Sequence, residues 1–203
     1  MKQPSRPKIE IVSNQRVLLV ASPNDGKTTK ALELLDVLDD GKPMVIVNPG
    51  ADAKLYKIFG EARHDIDPRW PQVQHIAPPV TDNYKSYKFW WSIAEHGNCR
   101  VYIDELDQVG TASQYNHGLK YLYQRGRRRF IQIIASTQRY QNIPVFTVNF
   151  SDHFFVGYVT GDDLKKLEKN TGQKWEHLMM QRSQHQFAYW TRNQANQQPY
   201  FIN

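Results

Sequence analysis

The sequence predicts an α/β fold: a mostly parallel central sheet flanked by helices, with a small C-terminal extension of helix and β-hairpin. Two observations carry this. Short runs of apolar, largely β-branched residues recur at residues 17–21, Met44–Val47, Arg100–Ile103, 130–135 and 154–159. Such runs, without alternation, read as strands buried on both faces. Between them lie stretches with helical spacing, and strands that alternate with helices pair in parallel, joined by right-handed crossovers.

Taken in order, residues 17–21 (Val-Leu-Leu-Val-Ala) form the first strand. After it Ala31, Leu34, Leu35 and Leu38 fall at i, i+3, i+4 and i+7, the stripe of an amphipathic helix that Gly41 and Pro43 stop. Met44–Val47 ends at Asn48-Pro49-Gly50, and a short helix is expected over Ala53–Phe59. Residues 60–79 carry Pro68, Pro71, Pro78 and Pro79, which forbid a long helix but leave room for a strand over 73–77. Helices are expected over 85–96 and 113–125. Residues 162–203 should hold one or two helices, then a strand or hairpin over 186–190 and Tyr200–Ile202.

At 203 residues the chain fits a single domain, with a core over about 15–160 and an extension over about 161–203. A chain of this size buries about 70% of its unfolded surface and needs no disulfide staples. Its one cysteine, Cys99, agrees with a reducing compartment. No apolar run approaches the roughly 20 residues of a membrane helix. The N-terminal Lys2, Pro4, Arg6, Pro7 and Lys8 precede no apolar stretch of the kind a secretory signal has, so a cytoplasmic location is expected. The net charge of +6 is compatible with a polyanionic partner but does not identify one.

The chemistry concentrates at two places. Between the first strand and first helix stands Ala21-Ser22-Pro23-Asn24-Asp25-Gly26-Lys27-Thr28-Thr29, which matches Gly-x4-Gly-Lys-Ser/Thr except for Ala21 in place of the first glycine. Here Gly26 lets backbone approach a phosphate, and the amides of Asn24 through Thr29 can point at the anion. Lys27 supplies a point charge to β- and γ-phosphates, and the Thr28 hydroxyl can ligate Mg²⁺. The second place is Asp104-Glu105, at the end of the Arg100–Ile103 run, where open α/β sheets bind ligands. Asp104 would hold the Mg²⁺ shell and Glu105 would orient or deprotonate water.

A third segment narrows the comparison. Tyr123-Gln124-Arg125-Gly126-Arg127-Arg128-Arg129, the run that follows, and Ser136-Thr137-Gln138-Arg139 together resemble the FtsK/HerA superfamily of DNA-pumping ATPases. The matching motifs span residues 17–144. Within that superfamily the chain is similar to genome-packaging ATPases of tailless, internal-membrane viruses. The resemblance implies a RecA/FtsK-like P-loop NTPase fold, ATP and Mg²⁺ as cofactors, and a pentameric or hexameric ring that drives double-stranded DNA into a capsid. It also implies docking to capsid-vertex or membrane proteins, and residence in the host cytoplasm or at a virion's packaging vertex. By the same resemblance Gln138 is a γ-phosphate sensor and Arg127 an arginine finger for a neighbouring subunit, with Arg125 and Arg128 as substitutes. The arginine cluster also reads, in descending order after the finger, as a DNA phosphate patch or a solvated helix end. Ala21 and Asn48-Pro49 depart from the pattern, which usually has glycine at the first position and often an acidic residue before the proline.

Rival readings are a Zot-type filamentous-phage export ATPase, a cellular HerA/FtsK-like motor, and a nucleotide-gated DNA-binding protein. The seven histidines form no zinc arrangement. Tyr87, Phe89, Trp90 and Trp91 read as core or subunit contact rather than a base-stacking platform. Lys165, Lys166 and Lys169 alternate with Asp162, Asp163 and Glu168, as on a solvated helix face.

Overall fold

The computed structural model describes residues 9–78, 83–194 and 196–202; the N-terminal reading over residues 1–8, and Pro79, lie outside them. Eight strands form one sheet: β1 (Arg16–Val20), β2 (Met44–Val47), β3 (Val73–Ile76), β4 (Arg100–Ile103), β5 (Gln132–Thr137), β6 (His153–Val156), β7 (Phe187–Thr191) and β8 (Tyr200–Ile202). Their order is β3-β2-β4-β5-β1-β6-β7-β8. The first six strands in this order run parallel, and β7 and β8 close the edge as an antiparallel hairpin.

Helices cover both faces, as strands buried at every position require. One face presents Val17, Leu19, Ile46, Tyr102, Ile134 and Phe155 to helix α1 (Lys27–Val37) and to Leu55 of α2 (Ala53–Phe59). The other presents Leu18, Val20, Val45, Val101, Ile103 and Ile133 to α3 (Asn83–His96) and α5 (His117–Arg125). Trp90 is wholly buried between these helices, whereas Trp91 stacks on Tyr121 at 4.3 Å on the surface. Cys99 is buried beside β4, and burial pushes its thiol up to about 12. No helix among the described residues is long and apolar enough to cross a membrane.

Several boundaries differ from the sequence pattern for local reasons. β1 begins one residue early, at a buried arginine: the Arg16 amide donates to Asp152 Oδ2 (2.9 Å) and its Nη2 to the Tyr123 carbonyl (2.7 Å). β5 starts at Gln132, because Phe130 is left-handed (φ 55°) and exposed. It continues through polar Ser136 and Thr137, which pair with Leu19 and Val20. The helix expected from 113 starts at His117, where the Asn116 side chain accepts from the Gly118 amide. Strand β6 stops at Val156, after which the Gly157 amide bonds to Val20 O (2.8 Å). Two short helices have no periodic signal long enough to read: α4 (Leu106–Val109) and α6 (Val145–Phe150). The extension supplies α7 (Gly161–Thr171) and α8 (Glu176–Gln181) before the closing hairpin. The charged run on α7 is solvated, with Lys165 and Asp162 meeting at 3.4 Å.

Candidate nucleotide site

The turn from β1 into α1 is shaped by two left-handed residues, Asn24 (φ 59°) and Gly26 (φ 84°). At Gly26 a side chain would be strained by the backbone angle and would meet the His185 ring, whose Nδ1 lies 3.4 Å from the Cβ position. Lys27 follows at the first helical position, 6% exposed, with Nζ 3.2 Å from Ser22 O. Burial lowers the lysine's pKa, opposed by the nearby charges of Glu105, Asp104, Asp25 and Asp107. Among the described residues such a cation has no ion pair within 4 Å, and its burial favours taking an anion.

Asp104 and Glu105 stand one strand beyond β5, at the same carboxyl edge. Asp104 is 1% exposed; its Oδ1 accepts from Tyr102 Oη (2.6 Å) and Ser136 Oγ (2.9 Å). Its Oδ2 has no hydrogen-bond partner among the described residues. Desolvation raises the Asp104 pKa, and the two hydroxyls pull it partly back. Glu105 is left-handed (φ 50°) and begins α4; its Oε1 accepts from Gln138 Nε2. Desolvation raises its pKa too, against the Gln138 hydrogen bond. Lys27, Thr28, Thr29, Glu105 and Gln138 therefore line a single cleft of about 580 Å³, with Asn24 and Gly26 in its rim.

Asp25 is placed differently from its neighbours in the motif. Its carboxylate turns away from the cleft into a buried ion pair with Arg182 (2.7 Å) and accepts from the Tyr158 amide (2.6 Å). Only its backbone remains to face a ligand. Arg127 is not in the cleft at all. It sits in the turn Gly126–Arg129, which precedes β5, paired with Asp152 ahead of β6. Because β1, β5 and β6 are parallel, that position is the amino edge of the sheet, about 16 Å of strand from its own P-loop. Arg128, in the same turn, is exposed with no partner among the described residues, while Arg129 pairs with Glu95 (2.8 Å) and Arg125 lies over the Tyr121 ring (5.9 Å).

Residues outside the sequence motifs complete the cleft. Asp52 caps α2 through the amides of Lys54 (2.7 Å) and Leu55 (3.2 Å), and its Oδ2 lies 3.4 Å from Thr28 Oγ1. Asn48 accepts from the Asp52 amide (2.8 Å) and its Nδ2 lies 3.1 Å from His75 Nε2, so the residue that departs from the acidic pattern positions a carboxylate four residues on. Lys54 Nζ donates to Thr29 Oγ1 (2.7 Å), and His185 and Phe187 enter from the closing hairpin. Asp52 had a faint signal, a helix-capping aspartate just past a strand end. His185 and Phe187 had none.

Thr28 Oγ1 and Asp52 Oδ2 stand 3.4 Å apart, and Asp52 lies near enough for its charge to raise the Asp104 pKa; hydroxyl and carboxylate oxygens are the donor set a hard divalent cation takes. The uncommitted Oδ2 of a buried Asp104 fits Mg²⁺, since the cation would offset the desolvation that burial imposes.

A lysine at the start of α1 beside two adjoining carboxylates, Asp104 buried and Glu105 partly so, at the carboxyl edge of a parallel sheet is the arrangement of the P-loop NTPase fold. No family model matches the sequence, and no curated protein matches it. Solved structures do. The genome packaging NTPase B204 from Sulfolobus turreted icosahedral virus 2, in complex with ATP-gammaS, superposes with a TM-score of 0.76 at 15% identity, over 95% of this chain and 98% of that one. B204 from Sulfolobus turreted icosahedral virus, described as a DNA-packaging ATPase, gives 0.76 at 16% identity over 94% and 97%. The N-terminal domain of zonular occludens toxin from Neisseria meningitidis gives 0.51 at 15% over 93% of each. The chain thus shares its fold over nearly its whole length with the B204 packaging ATPase, in line with the fold that the FtsK/HerA resemblance implies.

Proposed function

We propose that the chain is an ATP-driven translocase that packages double-stranded DNA into a viral capsid as a homo-oligomeric ring. The observation that supports this most is the convergence of Lys27, Thr28, Glu105 and Gln138 on one cleft within a fold that matches B204 over nearly its full length. Residues 15–160 form the motor core in this reading, and residues 161–203 the extension.

The residues divide the work by their chemistry. The amides of Asn24 through Thr29 cradle the phosphates at the start of α1, and Lys27 binds the β- and γ-phosphates. Thr28 and Asp104, with Asp52 beside them, would hold Mg²⁺, which would neutralise phosphate charge there. Glu105 takes a proton from water attacking the γ-phosphorus, and its raised pKa makes it a stronger base than an exposed glutamate. Gln138 orients Glu105 and reports the γ-phosphate to β5. Arg127 lies too far from its own cleft to act there, so it serves a neighbour in the ring, released from Asp152 at the subunit boundary. The ring acts in the host cytoplasm, at a capsid vertex.

The test is ATP hydrolysis by purified protein with and without linear double-stranded DNA, followed by displacement of a DNA-bound roadblock. DNA-stimulated hydrolysis with roadblock displacement is the expected result. Nucleotide-gated DNA binding without turnover points instead to a non-motor protein. The zonular occludens toxin similarity supports an export motor as second reading, ranked lower because its superposition is looser (0.51 against 0.76).

A further inference from the structure

The C-terminal turn that joins α8 to β7 is built onto the phosphate loop. Arg182 reaches Asp25 with Nη2 at 2.7 and 2.9 Å from the two carboxylate oxygens, and both side chains are nearly inaccessible to solvent. The turn also closes on itself, with Arg182 Nε donating to Gln186 O (3.2 Å) and the Ser183 amide to Gln186 Oε1 (3.0 Å). The result fixes His185 in a left-handed conformation (φ 61°), which costs a non-glycine residue energy unless its surroundings hold it there. Its imidazole is exposed, lies against Gly26, and makes no ring hydrogen bond among the described residues. Phe187 lines the cleft beside it.

The position of this wall matters. In the strand order β4-β5-β1-β6-β7, Glu105 and Gln138 approach the cleft from the β4 and β5 side, while His185 and Phe187 approach from the β7 side. A triphosphate with its γ end against Glu105 and its chain along Lys27 and Thr28 must send its nucleoside elsewhere in the same cleft. The exposed aromatic ring there is that of His185.

We infer that the Arg182–Gln186 turn is the nucleoside subsite: His185 stacks on the base of the bound nucleotide, and the Arg182–Asp25 ion pair keeps that ring in register with the phosphate loop. This rests on the phosphate-site reading above. A stack of this kind is sequence-tolerant, so it binds any nucleobase and adds affinity more than selectivity. The ring also shields the Gly26 backbone.

Isothermal titration of ATP and of inorganic tripolyphosphate, each with Mg²⁺, separates the two ends of the ligand. His185→Asn removes the ring while keeping a residue that tolerates the left-handed angle, and His185→Gly relieves that angle altogether. Both variants are expected to weaken ATP about tenfold, a typical effect of losing one base–aromatic stack, and to leave tripolyphosphate within twofold of wild type. Equal weakening of both ligands, or of neither, overturns the subsite and leaves the phosphate site standing. Wild-type protein that binds neither ligand overturns both.

Discussion

The Cβ of Ala21 fills the space that a side chain at Gly157 would need: a Cβ built there falls 2.6 Å from it and overlaps Asp25 Oδ2. The alanine that replaces the first P-loop glycine is therefore accommodated by a glycine on β6's outgoing turn, where the Ala21 and Asp25 side chains leave no room for a Cβ. Gly157→Ala is expected to push the loop outward, cost about 1–3 kcal/mol as overpacking does, and weaken ATP binding. The Ala21→Gly/Gly157→Ala pair should recover part of the stability, measured by denaturant titration. A double variant no more stable than Gly157→Ala alone would show that Asp25, not Ala21, sets the fit.

Glu105→Gln is expected to keep ATP binding and abolish turnover. Folding favours the protonated form of Glu105, so its contribution to stability is lost as pH rises through its raised pKa. At neutral pH the charge is a cost. The glutamine should therefore raise Tm by roughly 1–3 °C, kept small because solvent screens a half-buried group. Calorimetry and single-turnover hydrolysis check both halves, and a lowered Tm or retained turnover counts against the assignment.

If Glu105 is the general base, Gln138 is expected to set the acid limit of hydrolysis. Its hydrogen bond holds the Glu105 pKa below where burial alone would put it. A base must be ionised, so turnover falls as pH drops through that value. Gln138→Ala should move the acid limb of kcat against pH upward. A limb that stays in place, or moves downward, removes the interaction from catalysis.

Asp52→Asn is expected to lower Mg²⁺-dependent affinity for ATP about tenfold, a common size for loss of a supporting carboxylate. Binding in the presence of a chelator should change little. An equal loss under both conditions would assign Asp52 to capping α2 alone.

Mixing Arg127→Ala with Lys27→Ala subunits tests action between neighbours. Lys27→Ala alone should eliminate hydrolysis. Mixed rings pair an intact phosphate site with an intact arginine and should regain partial activity, read as hydrolysis against mixing ratio. Rings that form but show no recovery at any ratio would remove Arg127 from the mechanism.

What the sequence revealed was what neighbours in sequence decide. The phosphate turn, Asp104-Glu105 and five of the six parallel strands announce themselves within a few residues, and the weakly patterned β3 appears only as a possibility. What stayed hidden depends on sheet order. Arg16 can begin a strand because Asp152 and Tyr123 receive it, and polar Ser136 and Thr137 extend β5 because β1 lies alongside. Asp25 looks like a turn residue until Arg182, 157 positions later, claims its carboxylate. Asp52, tied to Asn48 by its amide, comes within 3.4 Å of Thr28 only once α2 returns its cap there.

β1 lies at the centre of the sheet, with Val17 paired to Ile134 on one side and His153 on the other. During synthesis this apolar strand leaves the ribosome before either partner and stays unpaired until more than a hundred further residues have followed. Long-range parallel pairing of this kind folds slowly, so the nascent chain carries an exposed, sticky segment through much of its elongation. Chaperone supply and growth temperature should accordingly govern the yield of soluble recombinant protein more than codon choice does.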